Sequence, residues 1–403
     1  MQLSIVSLKA AMNRTRVLVV LASISIFGAC SSVPPAKGAL PPLELFEDSA
    51  FEAPSHRIDA SQVFALSPAM RHYVDVEIAG QIRSLGRQRG LVDALHNKAQ
   101  LRLDFDTEVT RNAAEAFEAR AGNCLSLVLM TAALAKHLEL PLYYQAVIGQ
   151  EFWSRSGDLS LINGHVNIVI DKRLVDRVVG VEVATQLQVN FGAVPSGRGA
   201  LMRQVSEAAI VAMFMNNRAA EAMVRGALAD AYAYAREAVV QDPTYASAYN
   251  TLGVVYQRRG MAARAERAYR YALTLESHHL PALANLARSL DGQGRSAEAA
   301  PYRQLLARLE AEPPFRYFDL GRAAAQAGDF RSARDYILRE MRRDPDYHEF
   351  HFWLAVALYG LGDVEQARKH LTAAMQNSTT RREQALYASK LQRLPTAAAM
   401  HSN

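Results

Sequence analysis

Residues 246–279 read ASAYNTLGVVYQRRGMAARAERAYRYALTLESHH, and this stretch determines the fold of the C-terminal half of the chain. A central glycine, Gly260, is flanked by small and apolar residues at helical spacing: Leu252, Gly253, Tyr256, Tyr269 and Ala272. Such spacing on both sides of a glycine predicts two antiparallel helices joined by a tight turn. A glycine suits that turn because it tolerates a left-handed backbone conformation.

The same pattern recurs every 34 residues. Equivalent glycines are Gly226, Gly260, Gly294, Gly328 and Gly362. Equivalent alanines, which let the second helix of each pair approach the first, are Ala231, Ala265, Ala299, Ala333 and Ala367. Since one helix pair cannot bury its apolar face alone, the pairs are expected to stack into a solenoid. The period and the residue types resemble those of the tetratricopeptide repeat.

This resemblance implies five repeats over residues 205–377, an all-α solenoid that binds a protein or peptide partner. Helix pairs are expected to start near Ile210–Ala212, Ala246, Leu280, Pro314 and His348. Residues 378–403 are expected to form a capping helix, from Ser378 or Thr379 to Leu394, and a tail. Charged and aromatic residues on the first helices could line a binding face, or simply face solvent: Tyr249, Arg258, Arg288, Arg316 and His351.

The N-terminus has the pattern of a secretory signal. Basic residues precede the apolar run Val17–Phe27, which is too short to span a bilayer. Small residues before Cys30 resemble the lipobox of bacterial lipoproteins, which implies a signal peptide over residues 1–30, a lipid on Cys30 and a tether over residues 31–45. Location at the periplasmic face of the outer membrane follows as an expectation. The alternative is an ordinary cleaved signal in which Cys30 is incidental.

The second cysteine lies in Gly122-Asn123-Cys124-Leu125-Ser126, at the start of a predicted helix that ends at His137. A thiol in the first turn of a helix meets unpaired backbone N–H groups and the positive end of the helix dipole. Both favour the thiolate, which is the nucleophilic form. Cys124 is therefore the candidate nucleophile.

The surrounding segment, residues 46–204, predicts an α+β domain. Thr110 is the predicted N-cap of a helix over Arg111–Arg120, before the Cys124 helix. Runs rich in strand-forming residues follow the helix: Leu142–Ile148, Gly164–Ile170 and Leu187–Phe191. The stretch around Trp153 is predicted to be a polar loop. One helix followed by antiparallel strands therefore places His165 on a strand after Cys124.

From about Phe105 to Phe191, the order of these features resembles the transglutaminase-like (papain-related) superfamily. The resemblance implies that Cys124 is the nucleophile and His165 the base. The third member, which orients the imidazole, would be Asn190, where the family has an aspartate; papain-like enzymes use asparagine in this role. Asp171 and Asp176 are the alternatives for the orienting residue.

Composition excludes several other classes. The net charge is +5 and the pI about 9.1, and the arginines are spread along the repeats, so nucleic-acid binding is not expected. Two cysteines are too few for a disulfide framework or a cysteine-rich zinc site. A metal site using Cys124 and His165 would have only two visible ligands, and no cofactor is expected.

Two functions remain. The first is a lipid-anchored thiol hydrolase or acyltransferase that acts on peptide or amide bonds. The alternative is a non-catalytic adaptor lipoprotein whose repeats recruit envelope proteins.

Overall fold

A computed structural model describes residues 41–97, 101–107, 109–148, 152–156, 159–163, 165–171, 187–189, 201–310, 315–378 and 380–394. All of these belong to one compact unit, Pro34–Asn403. The predicted signal peptide, Cys30, Asp176 and Asn190 lie outside the described residues.

The described chain before Cys124 is mainly helical. Its α-helices are α1 (Pro68–His72), α2 (Ala79–Leu85), α3 (Arg87–His96) and α4 (Ala113–Ala119). Short 3₁₀ turns occupy Leu43–Leu45, Asp48–Ala50 and Ala60–Gln62, and a π-helical turn, Tyr73–Glu77, joins α1 to α2. A short strand, β1 (Asp104–Phe105), pairs in parallel with β2 (Ala121–Gly122), which directly precedes the cap of the Cys124 helix.

The predicted N-cap of α4 is wrong. Asn112, not Thr110, caps this helix: its side chain accepts from the backbone N–H of Glu115, and the Glu115 side chain accepts from the backbone N–H of Asn112. This reciprocal pair is a capping box. The helix therefore begins at Ala113, and Thr110 is available for the long-range contacts described below.

The Cys124 helix, α5 (Cys124–His137), is followed by strands. These are β3 (Leu142–Ile148), β4 (Phe152–Ser156), β5 (Leu159–Asn163), β6 (Val166–Ile170), β7 (Leu187–Val189) and β8 (Leu201–Val205). Four of them form an antiparallel sheet in the order β7-β6-β3-β8. The stretch around Trp153 is a β4–β5 hairpin rather than the predicted loop, and β8 was not predicted.

Helix α5 is apolar on every side, and every residue from Leu125 to Ala135 is buried. A helix of this kind needs partners all round. It packs against β6 of the sheet and against α1 and α4. Ile168 and Ile170 of β6 are 0% exposed in this core, so α5 packs against both the small four-stranded sheet and the preceding helices.

Stacked helix pairs make up the part of the chain described from residue 207 onward. The pairs are α6 (Glu207–Val224) with α7 (Leu228–Gln241), α8 (Ala246–Arg258) with α9 (Ala262–Leu275), α10 (Leu280–Gly292) with α11 (Ser296–Leu309), α12 (Arg316–Gln326) with α13 (Phe330–Met341), and α14 (His348–Gly360) with α15 (Val364–Asn377). Helix α16 (Arg381–Arg393) packs on α15 as the predicted cap. The predicted helical solenoid is confirmed.

The residues that define the period perform the expected roles. The five turn glycines have φ between 75° and 85°, which is the left-handed region that glycine adopts without strain. The five periodic alanines are 0% exposed. One continuous apolar core extends from α5 and the sheet into the first three helix pairs, so the α+β region and the array share a core.

Candidate functional site

Cys124 is the first residue of α5, and the chain reaches it through a tight approach. The side chain of Asn123 caps the helix by accepting from the backbone N–H of Ser126 at 2.9 Å and from its hydroxyl at 2.9 Å. Gly122 packs so closely on Ser126 that an added Cβ would lie 2.6 Å from the serine Cβ. The Gly-Asn pair before the cysteine therefore fixes where α5 begins.

The cap is connected to the repeat array through Thr110. The amide of Asn123 donates to the hydroxyl of Thr110 at 2.9 Å, and the backbone N–H of Thr110 donates to Glu221 of α6 at 2.7 Å. Arg218, also on α6, donates to the carbonyl of Thr110 at 3.2 Å. Burial is the main influence on the Glu221 carboxyl and raises its pKa, although Thr110 and Arg218 oppose the rise. The first repeat therefore contacts the approach to Cys124.

The thiol of Cys124 lies against the start of β6. Cys124 is half-buried, and burial of its thiol is the dominant influence, which raises the pKa of Cys124. The backbone N–H of Val166, and those of Leu125 and Cys124 itself, lower it to a smaller extent. The expectation of a thiolate is thus wrong in its net direction, because the amides at the helix start act as predicted but burial outweighs them.

His165 immediately precedes β6 and is 7% exposed. Its carbonyl accepts from the backbone N–H of Val147 at 2.9 Å, which continues the β3–β6 pairing to this residue. Burial lowers the pKa of the His165 ring, and the side chain of Asn167 raises it by less. The backbone of Val166 contacts the cysteine sulfur, and the fold therefore places His165, the preceding residue, near Cys124. The two pKa shifts favour the neutral forms of both the thiol and the imidazole.

Of the predicted orienting residues, Asp171 lies within the described part of the chain, whereas Asn190 and Asp176 lie outside it. Asp171 follows β6 and lies six residues from His165, which is about 20 Å along a strand, so it does not reach the ring. Asn167 lies on the same face of β6 as His165, is 0% exposed and interacts with the imidazole. Its amide also approaches the sulfur of Met202 at 3.8 Å. The two-residue spacing between His165 and Asn167 was the available sequence signal for this pair.

Other candidates fall outside this site. His137, at the far end of α5, pairs with Asp75 at 2.8 Å. On the first helices, Tyr249 is 0% exposed and His351 is 8% exposed, so these two belong to the core. The exposed residues among the predicted face are Arg258, Arg288 and Arg316.

A cavity of about 240 Å³ is found elsewhere, in the fourth helix pair. It is lined by Tyr317, Arg339, Glu340, Arg342 and Arg343.

Within the described part of the chain, no three histidine, cysteine or acidic side chains cluster as metal ligands. No helix in the same residues has the length and apolarity needed to cross a membrane.

Comparison with known proteins supports the repeats. The family model "Tetratricopeptide repeat" matches residues 318–380, which covers the fourth and fifth helix pairs. The fourth and fifth helix pairs therefore match the tetratricopeptide repeat. A comparison with curated protein sequences gives no significant match.

Solved structures with similarity to the chain include three proteins that match less than half of this chain but more than nine-tenths of their own length. YrrB, described as a TPR protein with an unusual peptide-binding site, is 23% identical over 44% of this chain and 92% of its own, with a TM-score of 0.24. PilF of Pseudomonas aeruginosa is 22% identical over 47% of this chain and 95% of its own, with a TM-score of 0.27. MamA of Desulfovibrio magneticus RS-1 is 18% identical over 43% and 96%, with a TM-score of 0.25.

Proposed function

We propose that the chain is a protein-binding adaptor in which tetratricopeptide repeats recruit a protein or peptide and an α+β domain closes one end of the array. The observation that carries this proposal is the stack of helix pairs, with a left-handed glycine in every turn and a buried alanine on every second helix. Stacked repeats of this kind present extended binding surfaces. Exposed arginines on the first helices, Arg258, Arg288 and Arg316, supply charge for an acidic partner.

The electrostatics of the cysteine site favour the adaptor over an enzyme. A thiol acts as a nucleophile in its thiolate form. Burial raises the pKa of Cys124 and lowers that of His165, so the thiolate–imidazolium pair is disfavoured on both sides. In this proposal the α+β domain serves as a platform, and Thr110, Glu221 and Arg218 fix it to the first repeat.

The second candidate function is thiol chemistry in a transglutaminase-like domain. It is favoured by one specific observation: the Cys124 sulfur lies at the backbone N–H of Val166, the residue next to His165. In this candidate, Cys124 attacks the carbonyl carbon of a peptide or amide, and His165 accepts the thiol proton and passes it to the leaving amine. Asn167, or Asn190 from outside the described residues, orients the ring. Hydrolysis and acyl transfer differ only in whether water or an amine takes the acyl group.

We also propose that a lipid on Cys30 anchors the chain at the periplasmic face of the bacterial outer membrane, on the strength of the signal-like N-terminus. Incorporation of labelled palmitate into the native chain, but not into a Cys30→Ala chain, is the expected result. Equal labelling of the two chains would contradict the anchor.

Site-specific photo-cross-linking, in cells that produce this protein, tests the proposed adaptor function. A photoreactive amino acid is placed at Arg288 or Arg316 on first helices, and at Arg331 on a second helix as the matched exposed control. We expect one discrete adduct from the first-helix positions, retained in a Cys124→Ala chain because no catalysis is involved. Loss of the adduct in the Cys124→Ala chain, or equal labelling from Arg331, would contradict the adaptor.

A further inference from the structure

A segment near the N-terminus, residues 43–56, lies along the repeat array and is called the strap here; it contains the 3₁₀ turns Leu43–Leu45 and Asp48–Ala50. Its partners are side chains at the turn ends of the first two helix pairs, in a cleft formed by α7, α8 and the start of α9. Two apolar residues of the strap are anchored there. Leu45 is 7% exposed, and the ring of Phe51 stacks on Tyr232 with centroids 4.1 Å apart and an angle of 1° between the rings.

The cleft binds the backbone of the strap through side chains. The hydroxyl of Tyr232 accepts from the backbone N–H of Glu47 at 2.8 Å, and that of Tyr256 donates to the carbonyl of Leu45 at 2.7 Å. Arg259 and Arg264 donate to strap carbonyls at 3.3 and 3.2 Å. Contacts to backbone groups hold the strap with little dependence on the identity of its side chains.

Charge complementarity supplies the selectivity. Between Leu43 and Ser55 the strap contains no lysine or arginine. Its four acidic residues there are Glu44, Glu47, Asp48 and Glu52. Asp48 accepts from Arg236 at 3.0 Å and from Tyr232 at 2.7 Å, and Glu47 forms an ion pair with Arg264. Asp230, an acidic side chain of α7, accepts from the backbone N–H and the hydroxyl of Ser55 at 2.6 and 2.8 Å.

We propose that this cleft is a recognition site for short acidic segments of a partner protein that carry an aliphatic and an aromatic anchor, and that the strap is its internal competitor. The proposal deepens the adaptor function and rests on it.

The strap is held weakly enough to be displaced. Exposed ion pairs contribute little to stability, and here the Arg236 and Asp48 side chains are 35% and 63% exposed. The strap owes its occupancy largely to being tethered, which gives an effective concentration of about millimolar. A partner segment with the same chemistry and more contacts displaces it.

The test uses a fluorescent peptide with the sequence of residues 43–56 and the purified full chain. In a Phe51→Ala chain the internal competitor has lost its stacked ring, so we expect at least tenfold tighter binding of the peptide than in the native chain. An Asp48→Lys chain loses the bonds from Tyr232 and Arg236 but keeps both apolar anchors, so a smaller gain in peptide affinity, about two- to fivefold, is expected. Circular dichroism shows whether each variant retains its helices.

Charge reversal identifies the cleft as the binding site. In the Phe51→Ala chain, Arg264→Glu is expected to weaken binding at least tenfold, and a peptide carrying Glu47→Arg is expected to restore it. The matched control is Arg382→Glu on α16. Absence of binding to folded variants, or equal loss from Arg264→Glu and Arg382→Glu, would overturn the proposal.

A native chain that is dimeric and becomes monomeric with peptide would assign the cleft to a second copy, and would also overturn the proposal. Cross-linking at Arg288 and Arg316 is independent of the strap. The adaptor therefore stands if the peptide fails but those adducts form, and it fails if the reverse is found.

Discussion

The contacts that stabilise the repeat array join residues close in the sequence, whereas those that stabilise the cysteine site join residues far apart in the sequence. In the second helix pair, the glycine that makes the turn and the alanine that packs beside it are Gly260 and Ala265, five residues apart. In the cysteine site, Cys124 meets Val166, and Thr110 contacts Glu221 from 111 residues away. The first kind of structure repeats whenever its local residues repeat, whereas the second exists only when distant segments fold together.

This difference has an energetic consequence. A defect within one helix pair is expected to lower stability wherever it occurs in the array, because each pair depends on the same close packing. A defect at the cysteine site is expected to change the contact between Thr110 and the first repeat, or the reactivity of Cys124, more than the free energy of unfolding. Four predictions test that contrast, from the largest expected effect to the smallest.

The largest effect is expected where two helices of one pair touch. Gly253 of α8 packs against the ring of Tyr269 on α9, which is 2% exposed. A Gly253→Ala methyl would overlap that ring, and overpacking of this kind costs about 3 kcal/mol. Urea unfolding followed by circular dichroism measures the loss.

The matched control is Gly292→Ala, at the end of α10, where an added Cβ meets nothing within 4 Å. Here alanine should be neutral or stabilise by up to about 1 kcal/mol, because it restricts the unfolded chain. Similar losses from Gly253→Ala and Gly292→Ala would show that close approach within the pair is not what matters.

The second prediction concerns acid sensitivity within the array. Buried His279 accepts from the backbone N–H of Ala282 at 3.2 Å and bonds to the hydroxyl of Ser247 at 3.0 Å. Burial lowers its pKa to about 4. Because the unfolded chain binds a proton at a higher pH than the folded one, this histidine contributes stability that is present above about pH 6.5 and lost as the pH falls towards 4. The loss between pH 7.5 and pH 5 should be about 2 kcal/mol.

A His279→Asn chain supplies the comparison for that loss. Asparagine is a good N-cap and keeps an acceptor for Ala282, but it does not titrate. Its urea unfolding free energy should therefore fall less than that of the native chain over the same pH range. Parallel pH profiles of the two chains would rule out His279 as the source.

Sequence predicts the array well because its signals are local. Helices α8, α10 and α14 begin at the predicted residues. The start of the fourth pair also involves a distant contact. Buried Glu340 of α13 accepts backbone N–H groups of Phe315, Tyr317 and Phe318, and α12 begins at Arg316, near the predicted Pro314. This contact over more than twenty residues was not predicted.

The same limit explains the cysteine site. The sequence brought out Cys124 and His165, because a thiol at a helix start and a histidine beside a strand are local patterns. It did not predict that burial would raise the pKa of Cys124, since burial depends on how α5 and β6 meet. Thr110 was mistaken for a cap because its actual partners, Asn123 and Glu221, come from two other helices or their caps.

The third prediction removes the cap at the cysteine site. Asn123→Ala loses the acceptor for Ser126 and the bond to Thr110, and should lower the unfolding free energy by about 1 kcal/mol. Asn123→Asp retains an acceptor for the first turn of α5 and should recover most of this loss. If Asn123→Asp were as unstable as Asn123→Ala, the cap would not be the stabilising contact.

The smallest effect is expected in the reactivity of Cys124, and it decides between the two functions. In a Cys30→Ser chain, Cys124 is the remaining thiol. Since burial raises its pKa, it should react with iodoacetamide more slowly at pH 7 than cysteine in solution, and its rate should approach that of cysteine after unfolding in urea. Because the pKa of His165 is lowered, its ring is neutral at this pH, and His165→Ala should change the rate less than twofold. A folded chain that reacts faster than cysteine, and slows on His165→Ala, would mean that a charged pair forms despite burial. Thiol chemistry would then be favoured over the adaptor.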